Sequence, residues 1–196
     1  MTIPLYQIDA FTTEMFKGNP AGVCPLDAWL DDAVMLALAM ENNLSETAFI
    51  VPHAGDDADY GLRWFTPTAE MDLCGHATLA SAWVFFNERG YDKDAIRFTT
   101  RSGILTVSRG EAGLLTLDFP QSKVMPAPPP ESLQAAIGFP AREFMRSKNG
   151  KNIAVPDSAK AVEGGEDNMA ARPAAGRGGG VVTAPGAGEG VLGAAP

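Results

Sequence analysis

The chain has 196 residues, of which 45% are hydrophobic and 20% charged, and its formal net charge is −9. This composition is ordinary for a soluble globular protein of one domain, or of one and a fraction. The acidic balance argues against a nucleic-acid partner, no apolar run approaches the roughly 20 residues that span a bilayer, and no signal peptide is recognisable at the N-terminus.

The first part of the chain predicts strands with one helix among them. Alternating apolar residues indicate strands at 3–11, 21–25, 47–51 and 61–65. A helix is predicted from an N-cap at Asp31 or Asp32 to about Asn42, because Ala and Met dominate that segment. Three further strands follow at 96–100, 104–108 and 114–119.

The segment from His76 to Arg89 predicts a helix of a different kind. Its residues are apolar nearly all round, whereas a surface helix would show a polar stripe. Gly90 follows as the expected stop signal. We therefore expect a central helix that a sheet wraps, in a mixed α/β unit.

The composition changes after about residue 120. All aromatic residues lie at or before Phe144, and residues 161–196 contain nine Ala, ten Gly and three Pro. Such a tail has little with which to build a core. We expect a folded domain at 1–120, then a Pro-rich linker, a short helix at 131–137 and the partial start of a second half within 121–160, and a disordered tail at 161–196. The composition of that tail is also typical of coding sequence read out of frame.

The spacing of the two cysteines and the two histidines along the chain predicts neither a disulfide nor a metal site. Cys24 and Cys74 are far apart, which is neither a disulfide framework nor a zinc pattern and suits a reducing cytoplasm. His53 and His76 are the only histidines. No metal-ligand spacing can be drawn from these residues, so we expect no metal.

The start of the predicted central helix is a candidate anion site. Free N–H groups and a partial positive charge at a helix N-terminus suit a carboxylate, and Gly75 allows close approach to the backbone. His76 and Thr78 could add side-chain donors. Asp72 either orients His76 or caps the helix, and we favour the cap. The alternative is an ordinary turn with a histidine that has only a structural role.

Glu46 and Cys74 are the candidates for chemistry. Glu46 stands where a helix gives way to a strand, flanked by apolar residues. Desolvation raises the pKa of a carboxyl group towards the range that a general acid/base needs. A helix N-terminus can likewise make the Cys74 thiol reactive. The alternative for Glu46 is an exposed loop residue or a cap of the preceding helix, and the alternative for Cys74 is a small buried hydrophobic residue. We interpret Cys24 as a core residue.

Three separated segments together resemble one family. They are FKGNPAGVC at 16–24, NNLSETAF at 42–49, and LRWFTPT at 62–68 running into DLCGHAT at 72–78. Over about residues 5–119 the chain is similar in order and spacing to the phenazine-biosynthesis PhzF-like isomerase family, which is related in fold to diaminopimelate epimerase. The three motifs together are far more specific than any one of them.

The resemblance implies a pseudo-symmetric fold of two halves, each a barrel-like sheet around a central helix. It implies a cofactor-independent reaction in which Glu46 moves a proton on a small carboxylate substrate. It implies that Gly75 and His76, with the neighbouring Ala77 and Thr78, hold that substrate. Cys74 matches a catalytic cysteine of the epimerase relatives, but no partner thiol is found in a matching motif, so we favour Glu46 chemistry.

Family members carry a second half that closes over the substrate, and no such half is recognisable after Phe144. We therefore expect an isomerase or epimerase with an impaired site. The alternative is a non-catalytic half-domain that binds a small carboxylate or self-associates, because an uncovered apolar face drives association. Both alternatives favour a homodimer.

Overall fold

The computed structural model describes residues 2–14, 16–129, 137, 140–148, 150–163 and 180–184. The chain divides into two compact units, residues 1–120 and 121–196. The first unit contains, in chain order, β1 (Tyr6–Ala10), β2 (Asn19–Pro25), α1 (Asp32–Asn42), β3 (Glu46–Pro52), β4 (Tyr60–Phe65), β5 (Glu70–Met71), α2 (Gly75–Asn87), β6 (Ala95–Thr100), β7 (Gly103–Arg109), a 3₁₀ turn (Glu111–Gly113) and β8 (Leu115–Asp118). No helix among the described residues is both long and apolar enough to cross a bilayer.

One mixed sheet organises the first unit. Its strands run in the order β1-β2-β3-β4-β6-β7-β8, with β5 paired to β4 at the side of this path. The β2–β3 and β4–β6 pairs are parallel, and the other pairs are antiparallel. Each parallel pair needs a crossover connection, and α1 and α2 lie in those two crossovers.

The sheet curves around α2. The helix contacts β1 and β2 at one end of the strand order and β7 and β8 at the other. In a flat sheet, seven strands about 4.8 Å apart would separate the edges by about 29 Å, too far for one helix about 10 Å across. The sheet therefore wraps the helix, which confirms the expected central helix.

Residues of α2 form the centre of the largest core cluster. Ala77, Ala80 and Val84 are fully buried against Trp64 and Phe98 from the sheet. The helix ends at Asn87, two residues before the predicted end. Gly90 has a φ of +67°, which glycine adopts readily, and the chain turns away there.

The outer face of the sheet is covered by α1. Met35 and Ala39 pack against Phe49 and Phe65 from β3 and β4. The helix begins as predicted, but the Asp31 side chain makes no capping hydrogen bond. Its backbone carbonyl instead accepts from the N–H groups of Val34 and Met35. Strand β3 is thus buried on both faces, which explains its nearly continuous apolar sequence.

Cys24 belongs to this outer core, as the sequence predicts. It is 3% exposed, and burial raises the pKa of its thiol from 9.0 to about 12. The thiol of the unfolded chain loses its proton near pH 9, whereas the folded chain keeps it. Stability therefore falls as the pH rises above about 9.

We expect the free energy of unfolding to decrease between pH 9 and 10 by up to about 1.4 kcal/mol through Cys24 alone. Urea unfolding at pH 8, 9 and 10 measures this change. The Cys24→Ala variant lacks the thiol, so its stability should depend less steeply on pH over the same range. Equal slopes for the two proteins would contradict the expectation.

The second unit contains a four-stranded sheet in the order β12-β11-β10-β9. Its elements are β9 (Val124–Pro126), β10 (Ala141–Ser147), β11 (Asn152–Pro156), α3 (Ala159–Glu163) and β12 (Gly180–Val182). Three strands thus lie in the region expected to be a linker, and β12 lies in the expected disordered tail, where it pairs in parallel with β11. The helix predicted at 131–137 falls, except for Ile137, outside the described residues.

Candidate active site

Strand pleating and sheet curvature bring Glu46 to the start of α2. Glu46 is the first residue of β3, and the period of two places it on the same face as the buried Ala48 and Ile50, towards α2. Its Oε2 atom lies 3.2 Å from Nε2 of His76, in the first turn of the helix. Two predicted site residues that are distant in sequence therefore meet.

Side-chain hydrogen bonds hold the turn in front of Glu46. Ser45 Oγ donates to Asn19 Oδ1 over 3.0 Å, and Asn42 Nδ2 donates to Thr47 Oγ1 over 3.2 Å. Asn43 ends α1 in the left-handed region with a φ of +51°, which Asn tolerates better than most residues. These contacts fix the backbone from which the Glu46 side chain extends.

Helix α2 begins at Gly75, with Cys74 at the N-cap position and no side-chain capping hydrogen bond. The N–H groups of such a first turn lack intrahelical partners. A Cβ atom on Gly75 would lie 2.8 Å from two ring atoms of Phe119, so the glycine lets this ring approach the helix start. The Phe119 side chain is 41% exposed, so it lies between the helix start and solvent.

His76 is a buried imidazole with polar groups on both sides. Its Nδ1 lies 3.5 Å from Cys74 Sγ. Its Nε2 faces Glu46 at 3.2 Å but is not aligned for a hydrogen bond with any described residue. Burial lowers the pKa of His76, and a contact with the Pro20 backbone acts in the opposite sense. The ring is therefore mostly neutral at pH 7, and each nitrogen can serve as a donor or an acceptor according to the tautomer.

Ala77 and Thr78 are completely buried behind the helix start. The Thr78 hydroxyl donates to the Cys74 backbone carbonyl over 2.5 Å, so it stabilises the first turn from inside. Ala77 packs in the core cluster around α2. Of these two expected substrate-binding residues, Ala77 can offer a ligand its backbone N–H group, whereas the Thr78 N–H group makes the first hydrogen bond of the helix, and neither side chain faces a ligand.

The expectation that Asp72 caps the helix is wrong, and so is the alternative that it orients His76. Its side chain is 82% exposed and lies 3.8 Å from Arg101. Its backbone carbonyl accepts a 2.8 Å hydrogen bond from the Ser102 hydroxyl. The chain passes through Leu73 before the helix begins at Gly75, so Asp72 is too early to occupy the N-cap position.

Glu46, Cys74 and His76 form a group of mixed ligand types. One donor atom from each lies within 4.8 Å of the other two. The sequence analysis considered only the spacing of cysteines and histidines along the chain. The proximity of Glu46 to the other two side chains follows from the fold.

The sequence analysis missed a network of charged side chains around β5, the strand that precedes this site in the chain. Arg63 makes two hydrogen bonds to Glu70, of 2.6 and 2.7 Å, and one of 2.9 Å to Asp32. Arg101 contacts the same Glu70 carboxylate at 2.6 Å. The Arg63 guanidinium also lies over Phe65, which removes part of its surface from water. The network holds β5, from which the chain runs into the start of α2.

We expect Arg63→Ala to reduce the free energy of unfolding by about 1–3 kcal/mol, because Glu70 is only 11% exposed and keeps a single arginine partner. All three tryptophans lie within residues 1–120, so tryptophan fluorescence during denaturation reports on this unit. Lys93→Ala is the matched control. Its side chain is 63% exposed in an ion pair with Asp59, and its change should stay within about 0.5 kcal/mol.

Comparisons with known proteins identify the family and confirm the expected diaminopimelate epimerase-like fold. A family profile described as phenazine biosynthesis-like protein (PhzC-PhzF) matches residues 8–155. A protein of Pseudomonas aeruginosa that is named an uncharacterized isomerase is 48% identical over 162 residues, which cover 83% of this chain and 60% of the relative. The chain thus spans less than two thirds of that relative's length.

Solved structures share the fold. A PhzF-family protein of Enterococcus faecalis superposes with a TM-score of 0.79 at 41% identity, covering 94% of this chain and 69% of that one. A hydroxyproline epimerase of Agrobacterium vitis, solved with bound trans-4-hydroxy-L-proline, superposes with a TM-score of 0.54 at 11% identity, covering 82% and 53%. At that identity the second likeness concerns the fold alone.

Proposed function

Because the chain belongs to the phenazine biosynthesis-like PhzC-PhzF family, we propose that it is a cofactor-independent isomerase or epimerase that moves a proton on a small carboxylate-bearing substrate. The observation that carries the proposal is the placement of a partly buried carboxylate, Glu46, beside the N-terminus of α2 and the buried imidazole of His76. Such a site combines a proton acceptor with an anion-binding helix start.

In the proposed reaction the substrate carboxylate lies at the first turn of α2. Backbone N–H groups from Gly75 onwards bind it and stabilise the negative charge that develops when a neighbouring carbon loses its proton. Glu46 accepts that proton and returns it to a different carbon of the substrate. Neutral His76 contacts the Glu46 carboxylate and orients it for the transfer.

The proposal is tested by incubating the protein in D₂O with a panel of small amino and hydroxy carboxylates. We expect deuterium to enter at a carbon-bound position of at least one of them, since an acid/base that exchanges with solvent returns a solvent deuteron. Mass spectrometry of the recovered acids measures the incorporation. If no member of a broad panel acquires deuterium above the enzyme-free rate, the isomerase proposal fails.

The alternative function is a module that binds a small carboxylate or pairs with a second copy without catalysis. Large apolar side chains on the first unit favour association, since Phe11 is 72% exposed, Phe16 92% and Leu114 67%. A second copy could cover them and help to exclude water from the site. If the chain is instead the proposed isomerase, its catalytic competence depends on this association, and the isolated chain is impaired.

We expect a homodimer, with a mass in solution of about twice the chain mass of 20.6 kDa. Light scattering coupled to size-exclusion chromatography at several protein concentrations measures this mass. Phe16→Ser removes the most exposed ring among the described residues and should shift the equilibrium towards the monomer. A mass of one chain at every concentration would contradict the dimer.

A further inference from the structure

We propose that the buried hydroxyl group of Thr47, held by Asn42 at the end of α1, positions Glu46 for proton transfer without touching the substrate. The proposal rests on the isomerase function proposed above and adds to it two positioning residues. Thr47 Oγ1 accepts a 3.2 Å hydrogen bond from Asn42 Nδ2. This hydrogen bond closes the short segment from 43 to 46, which joins α1 to β3 and ends at Glu46.

The pleat of β3 turns the Thr47 side chain away from the site. Adjacent residues of a strand point to opposite faces of the sheet, so Glu46 faces α2, whereas Thr47 faces α1 together with Phe49 of the outer core. Thr47 is completely buried, so its side chain cannot contact a substrate. It can therefore act on the reaction only through the backbone that leads to Glu46.

The surroundings of Thr47 accommodate its hydroxyl group. Thr47 pairs directly with Gly22 of β2, and a Cβ atom on Gly22 would lie 3.1 Å from Thr47 Oγ1, closer than ordinary van der Waals contact. A valine at 47 would have nearly the same shape and would bury no hydroxyl group, which costs free energy unless it is hydrogen-bonded. The hydroxyl group and its amide partner are thus better explained by the geometry of the turn than by packing.

Helix α1 gives this hydrogen bond a fixed base. The helix packs against the outer face of the sheet, and Asn42 is its last residue. On the other side of Glu46, Ser45 Oγ donates to Asn19 Oδ1 at the start of β2. Glu46 therefore lies between two side-chain hydrogen bonds. Since a displacement of about 1 Å can reduce a catalytic rate about 100-fold, the loss of one of them should slow the proton transfer.

The test compares Thr47→Val with the unsubstituted protein in the deuterium-exchange assay, on the acid of the panel that the unsubstituted protein labels fastest. We expect the exchange rate at saturating acid to fall by about 10–100-fold. The acid concentration that gives the half-maximal rate should change by less than about threefold, because the acid is bound at the start of α2. Thr47→Ser keeps a hydroxyl group and should retain the rate to within about threefold.

Asn42→Ala tests the partner of this hydrogen bond. It should slow the exchange as Thr47→Val does. The double variant should be no slower than the slower single variant, because both substitutions remove the same hydrogen bond. Losses that multiply in the double variant would show that the two residues act separately and would overturn the proposed pairing.

Ser81→Ala is the matched control for the loss of a buried hydroxyl group. Ser81 is completely buried in α2, more than one turn past the helix start, and its hydroxyl donates to the Ala77 backbone carbonyl over 2.6 Å. We expect its exchange rate to stay within about twofold of the original. Each rate is divided by the folded fraction that tryptophan fluorescence measures, so a loss of stability is not counted as a loss of activity.

The outcomes separate this proposal from the proposed function. If the unsubstituted protein labels no acid, the isomerase proposal fails and the positioning role fails with it. The positioning role alone is wrong if an acid is labelled and Thr47→Val keeps its rate or loses no more than Ser81→Ala. It is also wrong if Thr47→Ser is as slow as Thr47→Val, or if the half-saturating concentration changes more than the rate.

Discussion

Replacing Glu46 with Gln is expected to reduce proton exchange between solvent and substrate by about 10²–10⁴-fold, the usual contribution of a positioned acid/base. Glutamine has nearly the same shape and still reaches His76, but its amide does not accept a proton near neutral pH. The measurement is the rate of deuterium incorporation from D₂O into the carboxylate that the unsubstituted protein labels fastest.

Glu41→Gln is the matched control for this prediction. Glu41 lies in α1 with an exposed side chain, so its substitution removes the same charge without touching the site. We expect an exchange rate within about twofold of the original. If Glu46→Gln also keeps its rate, Glu46 does not carry the proton, and the assignment of the general acid/base is wrong although the family membership stands.

The strands and helices of the first unit could be predicted because each is indicated by the order of apolar and polar residues within its own segment. Strand β3 combines Ala48 and Ile50 on the inner face with Phe49 and Val51 on the outer one, and such a short apolar run is typical of a strand buried on both sides. The predicted and observed elements differ mainly at their ends. Those ends depend on pairing, as for Asn19 and Pro20, which join β2 through their register with β1.

The site was predictable only in part. Local sequence alone favoured an exposed loop residue or a helix cap at Glu46, and only the three family motifs together predicted it as a site residue. Its contact with His76 follows from the pleat of β3 together with the curvature of the sheet, which no local pattern encodes. Asp72 was wrongly predicted as the helix cap because an acidic residue before a helix is a common cap. The sequence does not show the partners that it contacts instead, which are Arg101 and Ser102.

The second unit was harder to predict for a physical reason. The strands β10 and β11 have few large apolar residues, so their patterns resemble loops. They are held by pairing with each other and by a small cluster in which Ala154 and Ile137 pack with Phe144 and Val182. Strand β12 lies in a stretch rich in Ala and Gly, and its parallel pairing with β11 is a long-range contact.

The sheet of the first unit wraps around α2. We therefore expect the largest losses of stability when a large side chain in this core is replaced by a small one. Phe98 in β6 is fully buried in the cluster around α2, with its ring centroid 6.4 Å from that of Tyr60. We expect Phe98→Ala to reduce the free energy of unfolding by about 3–5 kcal/mol, through lost burial and the cavity left behind. That loss is a large part of the 5–15 kcal/mol typical of a whole domain.

Phe16→Ala removes the same ring from a position that is 92% exposed, and at protein concentrations low enough for the chain to be monomeric it should change the stability by about 0.5 kcal/mol or less. Urea denaturation followed by tryptophan fluorescence measures both variants in the first unit alone. Equal effects at the two positions would mean that β6 does not pack on α2. A large loss at Phe98 alone would support a sheet closed around the helix, and that closure is what holds Glu46 against the start of α2.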